Sequence, residues 1–423
     1  MTAHEVPVPM KSKFFTKGVK ILTAIAGIGI AVYLFRLIVG LEAVTNLDDQ
    51  YPWGIWIAID VASGVALAAG GFTTAALVYI FGREKYHALV RPALLTALLG
   101  YTFVVIGLLA DLGRYYNVWH PMLPSMWQGN SVLFEVGMCV MIYLSVLYIE
   151  FIPIAVERFK GKVKLPSFLD TFNGIAEWAL NLADKTLGKF MFLFIIAGVV
   201  LSCLHQSSLG TLMVIAPTKM HPLWYTPISP LLFLLSAIAV GFPMVIFESI
   251  LASRSFKLKP EKDLLSAFAQ IIPFTLGVYL VAKIVDLTLR EAWPYLFEGS
   301  FAAFMFAIEM VGGVIIPLFI FASKKYRNSI GGLFTGAAMV ILGVALNRIN
   351  VFLVAYKPLY PDKPYFPSIF EISLTIGLVA TLILVYRAIV MIFPVISAPV
   401  QSHDQQFALK DESVLSAKKV NIT

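Results

Sequence analysis

Apolar residues run along this chain in ten long stretches, each separated from the next by a short polar or turn-rich segment. A helix of about 20 residues crosses roughly 30 Å of hydrocarbon. Stretches of that length lie near 19–40, 54–81, 91–113, 131–156, 189–210, 229–252, 264–289, 300–322, 329–347 and 370–395. The pattern predicts an all-α integral membrane protein with ten transmembrane helices. Spans two to five and six to nine read as two four-helix bundles flanked by single helices. A short segment, 1–18, precedes a membrane domain over 19–395. Its first half is 19–156 with 189–210, its second bundle 229–347, and its last span 370–395. Residues 157–188 form a connector, amphipathic around Phe168–Leu187, expected on the membrane surface. Residues 396–423 form a polar tail.

Composition strengthens this picture. The chain is 59% hydrophobic and 13% charged, with mean hydropathy +0.83; a soluble domain carries about 25% charged residues. The net charge of +7 therefore reports topology before it reports any partner, and no nucleic acid is expected. Of the 32 Lys and Arg, 24 fall on the segments that share a side with the N-terminus, which places both termini in the cytoplasm. The basic start (Lys11, Lys13, Lys17, Lys20) leads into an uncleaved first span. Cys139 and Cys203 stand alone in apolar runs, so an iron–sulfur centre held by a cysteine cluster is not expected in this chain.

This orientation brings ionisable residues to one depth. Asp60 lies just inside the outer edge of span two, Asp111 and Arg114 close span three, Glu135 opens span four, and His205, Gln206 and Ser207 close span five. Ionisable groups in spans are costly unless paired or hydrated, and so mark function. Acids, a histidine, an arginine and aromatics near one face suit a quinone, whose carbonyl oxygens need hydrogen-bond donors and proton exchange. Asp111, Glu135 and His205 have the right types for proton transfer. Arg114, Tyr115, Asn130, Gln206 and Ser207 are of types that bind and orient a head group. Asp60, Glu150, Lys283, Asp286 and Glu309 supply the beginnings of a proton relay. Each has a plainer reading. Asp111 and Arg114 equally make a structural clamp, Asp60 equally supports helix packing, Glu150 equally caps a helix end, and the aromatics equally form an interfacial belt. A haem held between two histidines is not expected, because only His205 of the six histidines lies in a span.

The runs PWGIWIAIDVASG (52–64), VRPALL (90–95), DLGRYYN (111–117), NSVLFE (130–135), HQSSLGTLM (205–213) and HPLW (221–224) resemble the polysulfide-reductase/NrfD-like family of integral membrane quinone subunits. The nearest branch is the HybB-like ten-helix type, found with membrane-linked nickel–iron hydrogenases and with menaquinone reductase complexes of sulfate reducers. The resemblance is strongest over the first five spans. It implies a bacterial inner-membrane subunit without haem or iron–sulfur centre, with menaquinone as substrate. Its partners would be a periplasmic iron–sulfur electron-transfer subunit and further catalytic or cytochrome subunits. Quinone reduction near the periplasmic face, coupled in some relatives to proton movement, is the implied activity. By motif, Asp111, Arg114, Glu135 and His205 carry over, with Asp60 after them. The competing class is a secondary transporter or other ion-translocating protein, which should show broken helices and a midplane site. A purely structural anchor would not require acids and a histidine gathered at one depth.

Overall fold

A computed structural model describes residues 7–163, 167–361 and 363–397. Ten helices are long and apolar enough to span a membrane: α1 Lys17–Val39, α2 Trp56–Ile80, α3 Glu84–Asp111, α4 Val132–Phe159, α5 Asp170–Val214, α6 Ser229–Phe256, α7 Lys262–Leu289, α8 Phe301–Ala322, α9 Ile330–Val354 and α10 Ile369–Ile392. Local chemistry sets several starts. Thr16, Ser131, Ser300, Ser329 and Ser368 each cap a helix by accepting from a backbone N–H three residues on. At α10 the cap is reciprocal, with Glu371 reaching back to the Ser368 N–H, so the first turn's orphan donors are satisfied.

Two elements differ from the sequence reading. The connector does not end before the fifth span: Asn173–Val214 is one helix of 42 residues. At ~1.5 Å per residue it is about 63 Å long, twice the hydrocarbon thickness, so its first turns project beyond the bilayer. Good helix formers and the absence of proline after Asn173 let it continue. Span α2, in contrast, is irregular. It is π-helical over Trp56–Ser63, turns at Ala68–Ala69, and is π-helical again over Ala76–Ile80.

A continuous apolar core runs through α2 to α9. Helices α4 and α5 pack side by side, α5 leads onto α6, and α6 meets both α7 and α9. The outermost spans, α1 and α10, pair with each other and lean on α3. Their crossing is glycine on glycine: a side chain at Gly29 would collide with Gly377 backbone. Gly313 and Gly343 bring α8 against α9 in the same way. Small residues serve this purpose in lipid, where close packing replaces hydrophobic burial as the attraction between helices. Pro7–Val8 pairs antiparallel with Ile396–Ser397, so the first and last described segments meet on one face, called here the terminal face. The rest of the expected tail lies outside the described residues.

Candidate functional site

A cavity of about 650 Å³ opens between α1, α2, α3, α6, α9 and α10, within the 300–1,000 Å³ typical of ligand sites. Its walls are mostly apolar, with Leu67, Phe103, Phe247 and Leu382 among them. Leu251 (42% exposed), Val379 (48%) and Ile383 (45%) line it and also stand on the protein surface, so it is open sideways between α6 and α10. On α3 it extends from Thr96 to Val104, about 12 Å along the helix at ~1.5 Å per residue.

Its two ends are polar. Toward the far face stands Asp60, on the π-helical stretch of α2, where the added residue per turn redirects side chains. Its carboxylate accepts a hydrogen bond of 2.6 Å from Thr375 of α10, and Gly107 leaves the room it occupies. Asp111 lies within electrostatic reach of Asp60, and Arg36 and Glu371 lie within reach of Asp111. Arg36, fully buried, donates to the Leu112 carbonyl at 2.5 Å and lies over the Tyr115 ring at 5.3 Å. Glu371 accepts from Tyr365 at 2.6 Å and from the Asn46 N–H at 3.1 Å. Burial and the neighbouring Glu371 push the Tyr365 phenol up, which keeps it a donor. Toward the terminal face stand Glu248 and Arg387. Glu248 accepts from Thr96 and, at 2.6 Å, from Tyr386.

The residues predicted from sequence are distributed over several places. Of them, Asp60 lines the large cavity, with Asp111 beside it. Arg114, Asn130 and Glu135 are exposed on the far face. No Asp111–Arg114 ion pair occurs among the described residues; the cation near Asp111 is Arg36. Tyr115 donates to the Leu37 carbonyl at 3.2 Å. His205 is buried with its ring edge-on to Tyr101 at 5.4 Å, and neither ring nitrogen has a hydrogen-bond partner among the described residues. Gln206 donates to the Val65 carbonyl at 2.8 Å, and Ser207 is half-buried. Glu150 lines a smaller cavity of about 200 Å³ with His87 and Arg91 near the terminal face.

A separate buried network occupies the second half. Asp286 pairs with Arg290 at 2.7 Å and accepts from Thr226 at 2.5 Å. Glu309 accepts from Trp224 (2.9 Å), Asn347 (2.7 Å) and Asn350 (2.8 Å). Lys283 lies over the Phe306 ring at 5.4 Å, and Arg348 over Phe233 at 3.7 Å.

Sequence reasoning missed Arg36, Thr375, Glu371 and the Glu248–Thr96–Tyr386 group as parts of the cavity and its surroundings. Glu371 had a readable signal in the Ser368-x-x-Glu371 capping pattern. A threonine facing a cavity from the tenth span has none.

A family model described as "Polysulphide reductase, NrfD" matches residues 43–358. A protein of Nitratidesulfovibrio vulgaris is 40% identical over 391 residues, 90% of this chain and 95% of its own. The "Probable Ni/Fe-hydrogenase 2 b-type cytochrome subunit" of Escherichia coli is 35% identical over 401 residues, 94% of this chain and 97% of that one. The "Menaquinone reductase, integral membrane subunit" of Nitratidesulfovibrio vulgaris is 25% identical over 386 residues, 84% of this chain and 85% of that one. With a family match over most of its length and relatives of this closeness, the chain belongs to the polysulphide reductase NrfD family of membrane subunits.

Proposed function

We propose that this chain is the quinone-reactive membrane subunit of a respiratory oxidoreductase complex, and that the large cavity holds the quinone. One observation carries the reading: an apolar cavity, open sideways to lipid, ends at an acid about 6 Å along α2 from the far-face end of the helix. An isoprenoid quinone enters from the bilayer, seats its tail against the apolar walls and presents a carbonyl to Asp60. The charge count favours a cytoplasmic terminal face and a periplasmic far face. An iron–sulfur partner docked on the far face, where Arg114, Asn130 and Glu135 are exposed, then stands near the quinone ring. Reduction of menaquinone is the favoured direction, as the name of one relative suggests.

In this reading Asp60 exchanges the proton, Thr375 fixes its carboxyl, and Asp111 with Arg36 sets the local charge. The word cytochrome in another relative's name would imply haem. Among the described residues the spanning helices carry two histidines, His87 in the first turn of α3, lining the smaller cavity near the terminal face, and His205 of α5, with Tyr101 against its ring. That does not fit a haem held between two histidines, so electrons are assigned to the partner subunit.

The test is titration of the purified chain with a fluorescent quinol-analogue inhibitor, with and without a competing menaquinone analogue. Saturable quenching at one site per chain, displaced by the quinone and weakened in Ala345→Phe at the cavity wall, supports the assignment. Binding indifferent to Ala345→Phe moves the quinone elsewhere.

A further inference from the structure

Among the described residues, the polar side chains lining the far-face part of the large cavity are Asp60 and Ser63, both on the π-helical stretch of α2. The cavity's other hydroxyl and charged side chains stand toward the terminal face: Thr16, Thr96, Glu248, Ser255, Tyr386 and Arg387. The direction of the hydrogen bonds already made at the far-face end limits what it can recognise. Ser63 is buried and donates its hydroxyl proton to the Ala58 carbonyl, five residues back, at 2.8 Å. A backbone carbonyl has no proton to give, so Ser63 must be the donor in that bond. Its remaining capacity is two lone pairs. Asp60 accepts from Thr375 through one carboxyl oxygen, and its other oxygen has no partner among the described residues. Asp60 can donate only while it carries its exchangeable proton. Ser63 cannot donate at all while its bond to Ala58 holds.

A quinone presents two carbonyl oxygens, which accept hydrogen bonds. Its reduced form presents two hydroxyls in their place, which donate. A carbonyl set against the Ser63 lone pairs puts two acceptors together with no proton between them, and a buried acceptor left without a donor is costly. A ring hydroxyl at the same place completes a hydrogen bond. We propose that Ser63 is a specificity-determining residue of this site, held as an acceptor so that the cavity binds the quinol more tightly than the quinone. This rests on the quinone reading above. A serine that only satisfies its own helix, as serines in spans commonly do, would leave the two affinities alike. The preference has a redox consequence. Tighter binding of the reduced form raises the potential of the bound couple, by roughly 30 mV for each tenfold in affinity when two electrons are transferred. The bound quinone is then a better electron acceptor for the partner subunit than quinone free in the bilayer.

The experiment measures both affinities on the purified full chain. The fluorescent quinol-analogue inhibitor is displaced by a short-chain menaquinone, and separately by its menaquinol kept reduced under anaerobic conditions. The inhibitor's own affinity is measured for each variant, so that the displacement curves can be corrected for it. One neutral hydrogen bond should give the native chain a preference for menaquinol of about three- to tenfold. Ser63→Ala should remove that preference by weakening menaquinol while leaving menaquinone nearly unchanged. Ser63→Cys nearly keeps the volume but offers sulfur, a weak acceptor, so it should lose most of the preference; it provides the test if Ser63→Ala fails to fold. Equal affinities in the native chain overturn the proposal, as does a ratio preserved in both variants. A greater loss for menaquinone than for menaquinol also overturns it, because Ser63 would then be donating to the carbonyl. Absence of saturable inhibitor binding to the native chain would instead refute the quinone reading itself.

Discussion

Asp60→Asn separates the chemistry of the cavity from its architecture. Asparagine keeps the shape of the side chain, and its carbonyl oxygen can still accept the Thr375 hydroxyl that now lies 2.6 Å away. The structural cost should then stay near the ~1 kcal/mol net worth of one hydrogen bond. On the proposed role, proton exchange at this position is lost. Positioned acid–base groups contribute about 10²–10⁴-fold, and Asp111 within electrostatic reach offers a partial substitute, so the low end applies. A loss of about a hundredfold in kcat/KM corresponds to roughly 2.7 kcal/mol in the barrier. Thr375→Val makes the converse change. It leaves the carboxyl but removes its donor, at about 1–3 kcal/mol in stability and less than about tenfold in rate. Quinone turnover by the whole complex and thermal unfolding of the purified chain give the two readouts. A folded Asp60→Asn complex within about threefold of native turnover would refute the role, because a spectator acid is what such a result describes.

Other perturbations test the fold and its loops. Gly29→Val places side-chain atoms inside the α1–α10 crossing and should cost about 1–3 kcal/mol, as overpacking does, read as a lower unfolding temperature. Glu309→Leu leaves the Trp224 and Asn347 donors unanswered at about 1–3 kcal/mol each; folded yield on size exclusion should fall sharply, and Glu309→Gln should recover much of it. His221, in the α5–α6 loop, has its imidazole pKa lowered by burial and by Lys357, against the opposing pull of Glu298. The unfolded chain then binds more protons than the folded one below about pH 6.5. The stability this histidine contributes is fully present above that pH and is lost as pH falls below it; His221→Gln should flatten that part of a melting-versus-pH profile.

The spans were legible because length and apolarity alone define them, and because capping serines and threonines mark several of their starts. Depth was legible too, since residue count fixes position along a helix axis. Azimuth was not. In a soluble helix the apolar stripe names the inward face, whereas a membrane helix is apolar toward lipid and toward its neighbours alike. Glu135 and His205 illustrate the consequence. The sequence pattern puts them at one depth and in one pocket, yet Glu135 is exposed at the far face, and His205 is buried against Tyr101 and does not line the large cavity. Asp60 was legible as a buried acid, but its partner Thr375 lies 315 positions away, a distance no local pattern covers. The continuity of α5 past its apolar part went unread for a related reason. Hydropathy marks where a helix leaves the membrane, while backbone hydrogen bonding decides where it ends.

The transporter alternative gains something from the structure, because α2 is interrupted and partly π-helical, and α8 and α9 also carry π-helical stretches. Broken helices in carriers free backbone carbonyls and helix ends to hold an ion or a polar substrate near the midplane. The cavity beside α2 is of another kind. Its walls are mostly apolar, with leucine, isoleucine, valine and phenylalanine prominent, and its acids stand at its two ends. Its side opening faces lipid through Leu251, Val379 and Ile383. An ion crossing so apolar a middle would lose its hydration without replacement. The buried charges that could serve a carrier are elsewhere, and they are largely engaged: Asp286 by Arg290 and Thr226, Glu309 by three donors. A chamber with that lining accepts a molecule that is itself apolar along most of its length and polar at its ring oxygens. A quinone, as proposed, meets both conditions.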